Sequence, residues 1–272
     1  LWHDRRAVAY ATVSVTRRDG SEHRENLRVD GSEFEDWLTR EFYLATGTTP
    51  KREKLREIVG LAKARGVFEG EQHPTWVRTA TGENGKLYID LGDEDWQAVE
   101  ADAEGWRIVS GPPVKFRRSG GMLPLPHPVP GDAEQALAQL ESLIGAQEPA
   151  HFMLIVGWLL AALRAGYPIA ALVFDCEPGS GKTTKQRMIR SFIDPQVSAT
   201  PGPNTNERDL IISAHSRWLV SADNVTEISQ AMSDAYCRLI TGGGMSNRKL
   251  FKDEDEHSVD IKRPLCLALI GT

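Results

Sequence analysis

Gly181, Lys182 and Thr183 stand in the run DCEPGSGKTT, residues 175–184, in register with the phosphate-binding pattern G-x-x-x-x-G-K-[ST]. The chemistry open to such a run is to cradle the phosphates of a nucleotide, ATP with Mg2+ being the usual case. Loop N–H groups turn inward, and Gly179 and Gly181 permit backbone angles that side chains would block. Lys182 supplies a point charge for the β and γ phosphates, and Thr183 a hydroxyl for the metal ion. The first glycine of the pattern is Cys176 here, at the point where the loop leaves a strand and a small side chain fits. The expected nucleotide contacts are Glu177, Pro178, Gly179, Ser180, Gly181, Lys182, Thr183 and Thr184.

A Mg2+-holding acid should end a neighbouring apolar strand. WLVSADN supplies Asp223, 41 positions after Lys182, and nothing between them fits as well. Thr183 and Asp223 are therefore the expected metal ligands, with Lys182, Asp223 and Asn224 as the expected catalytic set. Many ATPases place a glutamate directly after the aspartate to activate water, and here that residue is Asn224. Three alternatives follow: Asp223 serves both roles, Asn224 orients the water, or hydrolysis is slow.

These residues need a buried strand, a turn and a helix to hold them. The strand is IAALVFD (169–175) and the helix KTTKQRMIRSFI. Helices near 206–215 and 228–240, strands at 218–223 and 264–270, a Gly242-Gly243-Gly244 turn and a hairpin over 246–262 follow. Strands alternating with helices predict an α/β fold with a mainly parallel sheet. Upstream, residues 132–144 and 150–165 read as helices. The apolar run 152–163 is too short to span a bilayer, which takes roughly 20 residues, and is expected to be a buried helix.

Residues 1–119 read as a small α+β accessory module. A hairpin (7–16 and 24–29) leads to a helix opened by a Ser32–Glu35 capping box, and a second helix covers 50–66. Short aromatic-rich strands run from Thr75 to Phe116. The Pro- and Gly-rich segment 120–131 is the expected linker, leaving 132–272 as the nucleotide-binding domain.

The chain has 272 residues, 40% hydrophobic and 26% charged, with a net charge of −6, which suits a soluble globular protein. Any nucleic-acid contact must then come from a local basic surface. Three scattered cysteines exclude a disulfide framework and point to a reducing, cytoplasmic setting. No structural zinc is expected, and neither is a signal peptide or a membrane partner. Both ends look cut, so a longer parent protein is expected.

The last third carries a resemblance. Thr241-Gly242-Gly243, then Arg248, Leu250 and Phe251, an acidic run, and Lys262-Arg263-Pro264 before an apolar strand resemble superfamily 3 helicases. The likeness is greatest to the helicase module of phage, plasmid and prophage primase-helicases. It covers most of the chain and is specific over 169–272. It implies a P-loop AAA+ ATPase that assembles as a homo-oligomeric, usually hexameric, ring, with a primase domain or subunit as a partner. It also implies a channel hairpin, here 246–262, gripping single-stranded DNA through Arg248, Lys249 and Lys252. The neighbouring acids Asp253–Glu256 must then point away. The polar sensor residue would fall at or just after Thr272, and the arginine finger beyond it.

The leading expectation is an ATP-dependent DNA helicase or translocase motor of a mobile element's replication protein. The alternative is a nucleotide-switched loader that oligomerises without unwinding. A small-molecule kinase fits less well, since the glycine turn and hairpin suit a ring ATPase. Arg208 is expected to be a surface charge, Arg117-Arg118 a solvated loop that could touch DNA, and Trp76, Trp96 and Trp106 core residues rather than a base-stacking platform.

Overall fold

A computed structural model describes the chain except residues 147, 177–178, 180, 199–200, 205, 244, 247–257, 260 and 271–272, and the side chains of 176, 245–246 and 258–259. In order, the elements up to residue 117 are β1 (Trp2–His3), β2 (Ala9–Thr16), β3 (Glu22–Arg28), α1 (Ser32–Thr46), α2 (Arg52–Phe68), β4 (Glu71–Gln72), β5 (Thr75–Trp76), β6 (Thr79–Thr81), β7 (Leu87–Asp90), β8 (Gln97–Asp102), β9 (Gly105–Ser110) and β10 (Lys115–Phe116). Then follow α3 (Ala133–Ile144), α4 (Pro149–Ala162), β11 (Leu172–Cys176), α5 (Lys182–Ile193), α6 (Glu207–Ser216), β12 (Val220–Val225), α7 (Gln230–Thr241), β13 (Met245–Ser246), β14 (Ser258–Val259) and β15 (Leu265–Ile270). The architecture is mixed α/β with several sheets.

Two compact units emerge, Leu1–Trp76 with Glu94–Arg117, and Val77–Asp93 with Arg118–Thr272. In the first, strands order β3-β2-β1-β4, and from Ala11 onward β2 alternates covered and exposed residues as a half-covered strand should. Ala9, Ala11, Val13, Leu27, Val29 and Phe34 form its core, with Trp37, Leu38 and Val59 of the two helices packed on. A Cβ on Gly66 of α2 would lie 2.9 Å from that of Ala9, so helix and strand approach too closely for a side chain. The N-cap of α1 is Gly31, not Ser32, with no side-chain cap. Ser32 is itself the first helical residue and its hydroxyl donates to Glu33 at 3.3 Å, so the expected capping box does not form.

The expected boundary near 119–132 differs from where the compact units divide. Residues 77–93 go with the second unit, where the buried Arg78 pairs with Asp194 at 3.1 Å. The Pro-rich segment is stitched down: Leu123 N–H donates to Pro195 O (3.0 Å), Val197 N–H to Gly121 O (3.0 Å) and Leu125 N–H to Leu91 O (2.7 Å). Prolines favour extended backbone, and extended backbone can dock along an edge as readily as it can link domains.

At the centre of the second unit, three parallel strands order β11-β15-β12. Leu210, Ile211, Val220, Ala222, Leu239, Leu265 and Leu267 make up much of their core with α6 and α7. The expected buried helix, α4, covers only one stripe: Phe152, Ile155, Trp158 and Ala162 are buried, while Met153 (65%), Leu154 (70%) and Leu160 (63%) are exposed. Because the helix is apolar all round, its sequence does not mark which face is covered. No single helix among the described residues is long and apolar enough to cross a membrane.

Candidate nucleotide and metal site

Strand β11 ends at Cys176, and α5 begins at Lys182 with Gly181 as its N-cap. Gly179 and Gly181 have φ of 83° and 79°, the left-handed region that glycine enters freely. A Cβ at either would meet nothing within 4 Å, so backbone conformation rather than space calls for glycine here. Lys182 and Thr183 are half-buried and Thr184 is exposed. Glu177, Pro178 and Ser180 lie outside the described residues.

Thr183 Oγ1 donates to Asp223 Oδ2 at 2.9 Å, so two residues picked from separate motifs meet. Asp223 is buried, and its Oδ1 accepts the N–H of Asn224 at 2.9 Å. The register of β12 against β15 shifts between Ala222 and Val225, and Asn224 in that irregular stretch has φ 57°. Asparagine tolerates this conformation better than glutamate, which gives a local reason for the departure at this position. The bulge frees the Asp223 N–H from the ladder, and it donates instead to Pro201 O at 3.1 Å. Asn224 itself is exposed.

A hydroxyl and a carboxylate oxygen this close are hard donors of the kind Mg2+ takes, with phosphate oxygens and water completing its shell. The donor set fits that ion. Among the described residues, no cluster of three His, Cys, Asp or Glu side chains offers an all-protein cage.

Three residues that position this pair escape a reading of the sequence. Gln186, fully buried, donates from Nε2 to Ala222 O (2.9 Å) and Cys266 O (3.1 Å), tying α5 to both adjacent strands. Arg190, one turn on, donates to Ser221 Oγ and to Leu219 O, the latter at 3.4 Å. Burial lowers its pKa to about 10. Asp194 accepts from Trp218 N (2.8 Å) and Leu219 N (3.1 Å) through Oδ2, and from Arg78 and Gln196 through Oδ1. The signal is nonetheless there: Lys182, Gln186, Arg190 and Asp194 recur every fourth residue, a polar stripe on the face that a covering helix should make apolar. Cys266, fully buried beside Gln186, has its thiol pushed up to about 12 by burial.

Other expectations fare differently. Arg118 is no solvated loop residue: it grips the buried Asp90 through two nitrogens, at 2.6 and 3.0 Å. Burial also lowers the pKa of Arg117. None of the three tryptophans expected in the core is buried, since Trp76 and Trp96 are half-buried and Trp106 is 44% exposed. Trp76 lies in a two-residue strand, Trp96 just before β8, and Trp106 near the start of β9. Arg208 is exposed on α6. The feet of the 246–262 hairpin pair as antiparallel β13 and β14, Met245 opposite Val259, whereas Arg248, Lys249 and Lys252 lie outside the described residues.

An α/β unit in which a glycine-led helix brings a threonine onto the acid of a strand one place removed in the same sheet defines a class, a candidate nucleotide-binding domain. Comparison makes it more specific. A model of the actinomycete integrative conjugative element replication protein family matches residues 137–272, half of the chain, and the protein belongs to that family. It is also 37% identical over 81 residues to the Holliday junction branch migration complex subunit RuvB of Methanoregula boonei. That stretch is 29% of this chain and 24% of the relative. Two apo structures of the NrS-1 C-terminal region align with TM-scores of 0.42 and 0.41 at 13% identity, over 99% and 100% of this chain. The chain spans about half the length of those structures, 52% and 53%.

Proposed function

We propose that this replication-protein chain is an ATP-dependent motor that moves single-stranded DNA through a ring of its own copies. The observation that carries the reading is the 2.9 Å hydrogen bond between Thr183 and Asp223, which joins the two halves of a Mg·ATP site. Lys182 and the N–H groups around Gly179 and Gly181 would hold the phosphates, at the positive end of a 12-residue helix. Magnesium bound by Thr183 and Asp223 would neutralise charge developing on the transferred phosphoryl group. Asp223, buried and held by the Asn224 N–H, would present its carboxylate to that ion.

The finer reading is a P-loop AAA+ module of the superfamily 3 kind, forming a hexameric ring. The strand order β11-β15-β12 supports it, since the strand feeding the glycine turn is separated by one strand from that bearing Asp223. Arg248, Lys249 and Lys252 would then contact phosphates in the channel without reading sequence. Membership of a mobile-element replication family and the resemblance to RuvB support DNA as the partner. A primase domain or subunit would act beside it.

The second reading, a nucleotide-switched loader, is favoured by one observation. The residue after Asp223 is an exposed asparagine in left-handed conformation, so no carboxylate follows to activate water. One experiment separates the two: ATP hydrolysis with and without single-stranded DNA, using Lys182→Ala as the blank. Stimulation by DNA that is lost in the blank supports the motor. Turnover indifferent to DNA, with ATP still bound, rejects it in favour of the loader.

A further inference from the structure

The candidate nucleotide-site residues all lie in the second compact unit, and the first carries an arginine-lined hollow of about 550 Å3, open to solvent. Thr16, Arg17, Arg18, Asp19 and Arg40 line it. The turn joining β2 to β3 forms one wall and is held by Arg17 N–H to Ser21 O (2.9 Å) and Gly20 N–H to Arg17 O (3.1 Å), with Gly20 at φ 85°. Arg40 of α1 forms the other wall. It reaches across to donate to Thr16 O at 2.8 Å and also bonds Glu41 at 2.6 Å. Arg17 is anchored to Asp95. Arg18 is exposed and makes no ion pair or side-chain hydrogen bond among the described residues. Asp19 turns its carboxylate back onto Ser21, accepting from its N–H (2.9 Å) and hydroxyl (2.7 Å).

Three guanidinium groups thus line one hollow: Arg17 is held by Asp95 and Arg40 by Glu41, the Asp19 carboxylate is engaged in its own turn, and Arg18 has no carboxylate partner among the described residues. Arg18 contributes nothing to a core and stands exposed beside the part-engaged fork of Arg40, so an anion is the natural complement of the pair. Guanidinium forks match pairs of phosphate oxygens, and an open hollow admits a continuous backbone rather than enclosing a small molecule. We infer that the accessory unit grips the phosphate backbone of nucleic acid at this hollow, through Arg18 and Arg40, independently of bound ATP. The contact positions the strand and reads no sequence.

The test uses the full chain without nucleotide, carrying Arg248→Gln, Lys249→Gln and Lys252→Gln so that the proposed channel hairpin is silent. Fluorescence anisotropy of a labelled single-stranded oligonucleotide is followed from about 50 to 200 mM salt, the range over which phosphate binding loses most affinity. Adding Arg18→Gln and Arg40→Gln should weaken binding and shrink the slope of log K against log salt by about 0.7 for each phosphate no longer neutralised. Arg65→Gln, an exposed arginine on α2 paired with Glu69 at 2.8 Å, should leave the slope unchanged. An unchanged slope in the Arg18/Arg40 variant overturns the proposal, as does an equal effect from Arg65→Gln. Displacement of the arginine-dependent binding by millimolar inorganic phosphate at constant ionic strength would show a small-anion site and overturn it as well.

Discussion

Arg78 meets Asp194 with neither side chain exposed, whereas Arg18 and Arg40 stand in solvent. The buried arginine spends its donors inside the fold: Asp194, Asp90 O at 3.0 Å and Leu123 O at 2.7 Å. Of the exposed ones, Arg40 bonds Thr16 O and Glu41 at the surface, and Arg18 makes no ion pair or side-chain hydrogen bond among the described residues. A cation taken out of water must be matched donor by donor, and once matched it has nothing left to bind a ligand. The first kind of arginine ties together the frame on which Thr183 and Asp223 meet, and the second kind is the one proposed to meet a partner.

The sharpest way to break this contrast is substitution at both places. Arg78→Ala strands a buried carboxylate and should cost about 3–5 kcal/mol of stability. Arg18→Gln should stay within about 0.5 kcal/mol, as surface changes do. Denaturant unfolding of the full chain, read by near-UV signal, measures both. Comparable losses would show that the two groups do not differ as described.

Next in size is an alkaline effect at Cys266. Its thiol ionises near 9 in the unfolded chain and at about 12 when folded. Between those values the unfolded state binds fewer protons, so stability falls as pH rises, by up to about 4 kcal/mol. Below pH 9 both states are protonated and the group contributes no slope. Cys266→Ala should flatten the decline between pH 9 and 12, and an identical decline in the variant would place its origin elsewhere.

Gln186→Leu should cost about 1–3 kcal/mol, because two buried carbonyls lose their donor. The informative readout is nucleotide affinity measured with Mg2+ and with EDTA. If Gln186 sets the distance between α5 and β12, the metal-dependent part of the affinity falls while the metal-free part persists. Equal loss in both conditions would reduce Gln186 to a packing residue.

Much of the second unit is legible in sequence because its local signals agree. The apolar run into GSGKTT, the strand into Asp223 and the glycines that end the helices each mark an element within a few residues of its observed bounds. What escapes is long-range. Arg78 and Asp194 are 116 positions apart, and nothing local to either marks the other as its partner. The segment 120–131 carries linker composition but docks along the second unit, since prolines specify extended backbone and not its destination. Ser32 has the look of a helix cap, yet Gly31 already sits in the extended conformation that a cap requires. The stripe Lys182, Gln186, Arg190 and Asp194 is present in the sequence, but a polar residue on a charged helix draws no notice until the covered face is known.

Thr183 and Asp223 are proposed to act as one unit in holding Mg·ATP. A double-mutant cycle tests it directly, with nucleotide affinity measured in Mg2+ for Thr183→Ala, Asp223→Ala and the pair. Each single change should remove most of the metal-dependent affinity, and the double variant should be little worse than either alone. Losses that simply add, or single variants that keep their Mg2+ dependence, would contradict it.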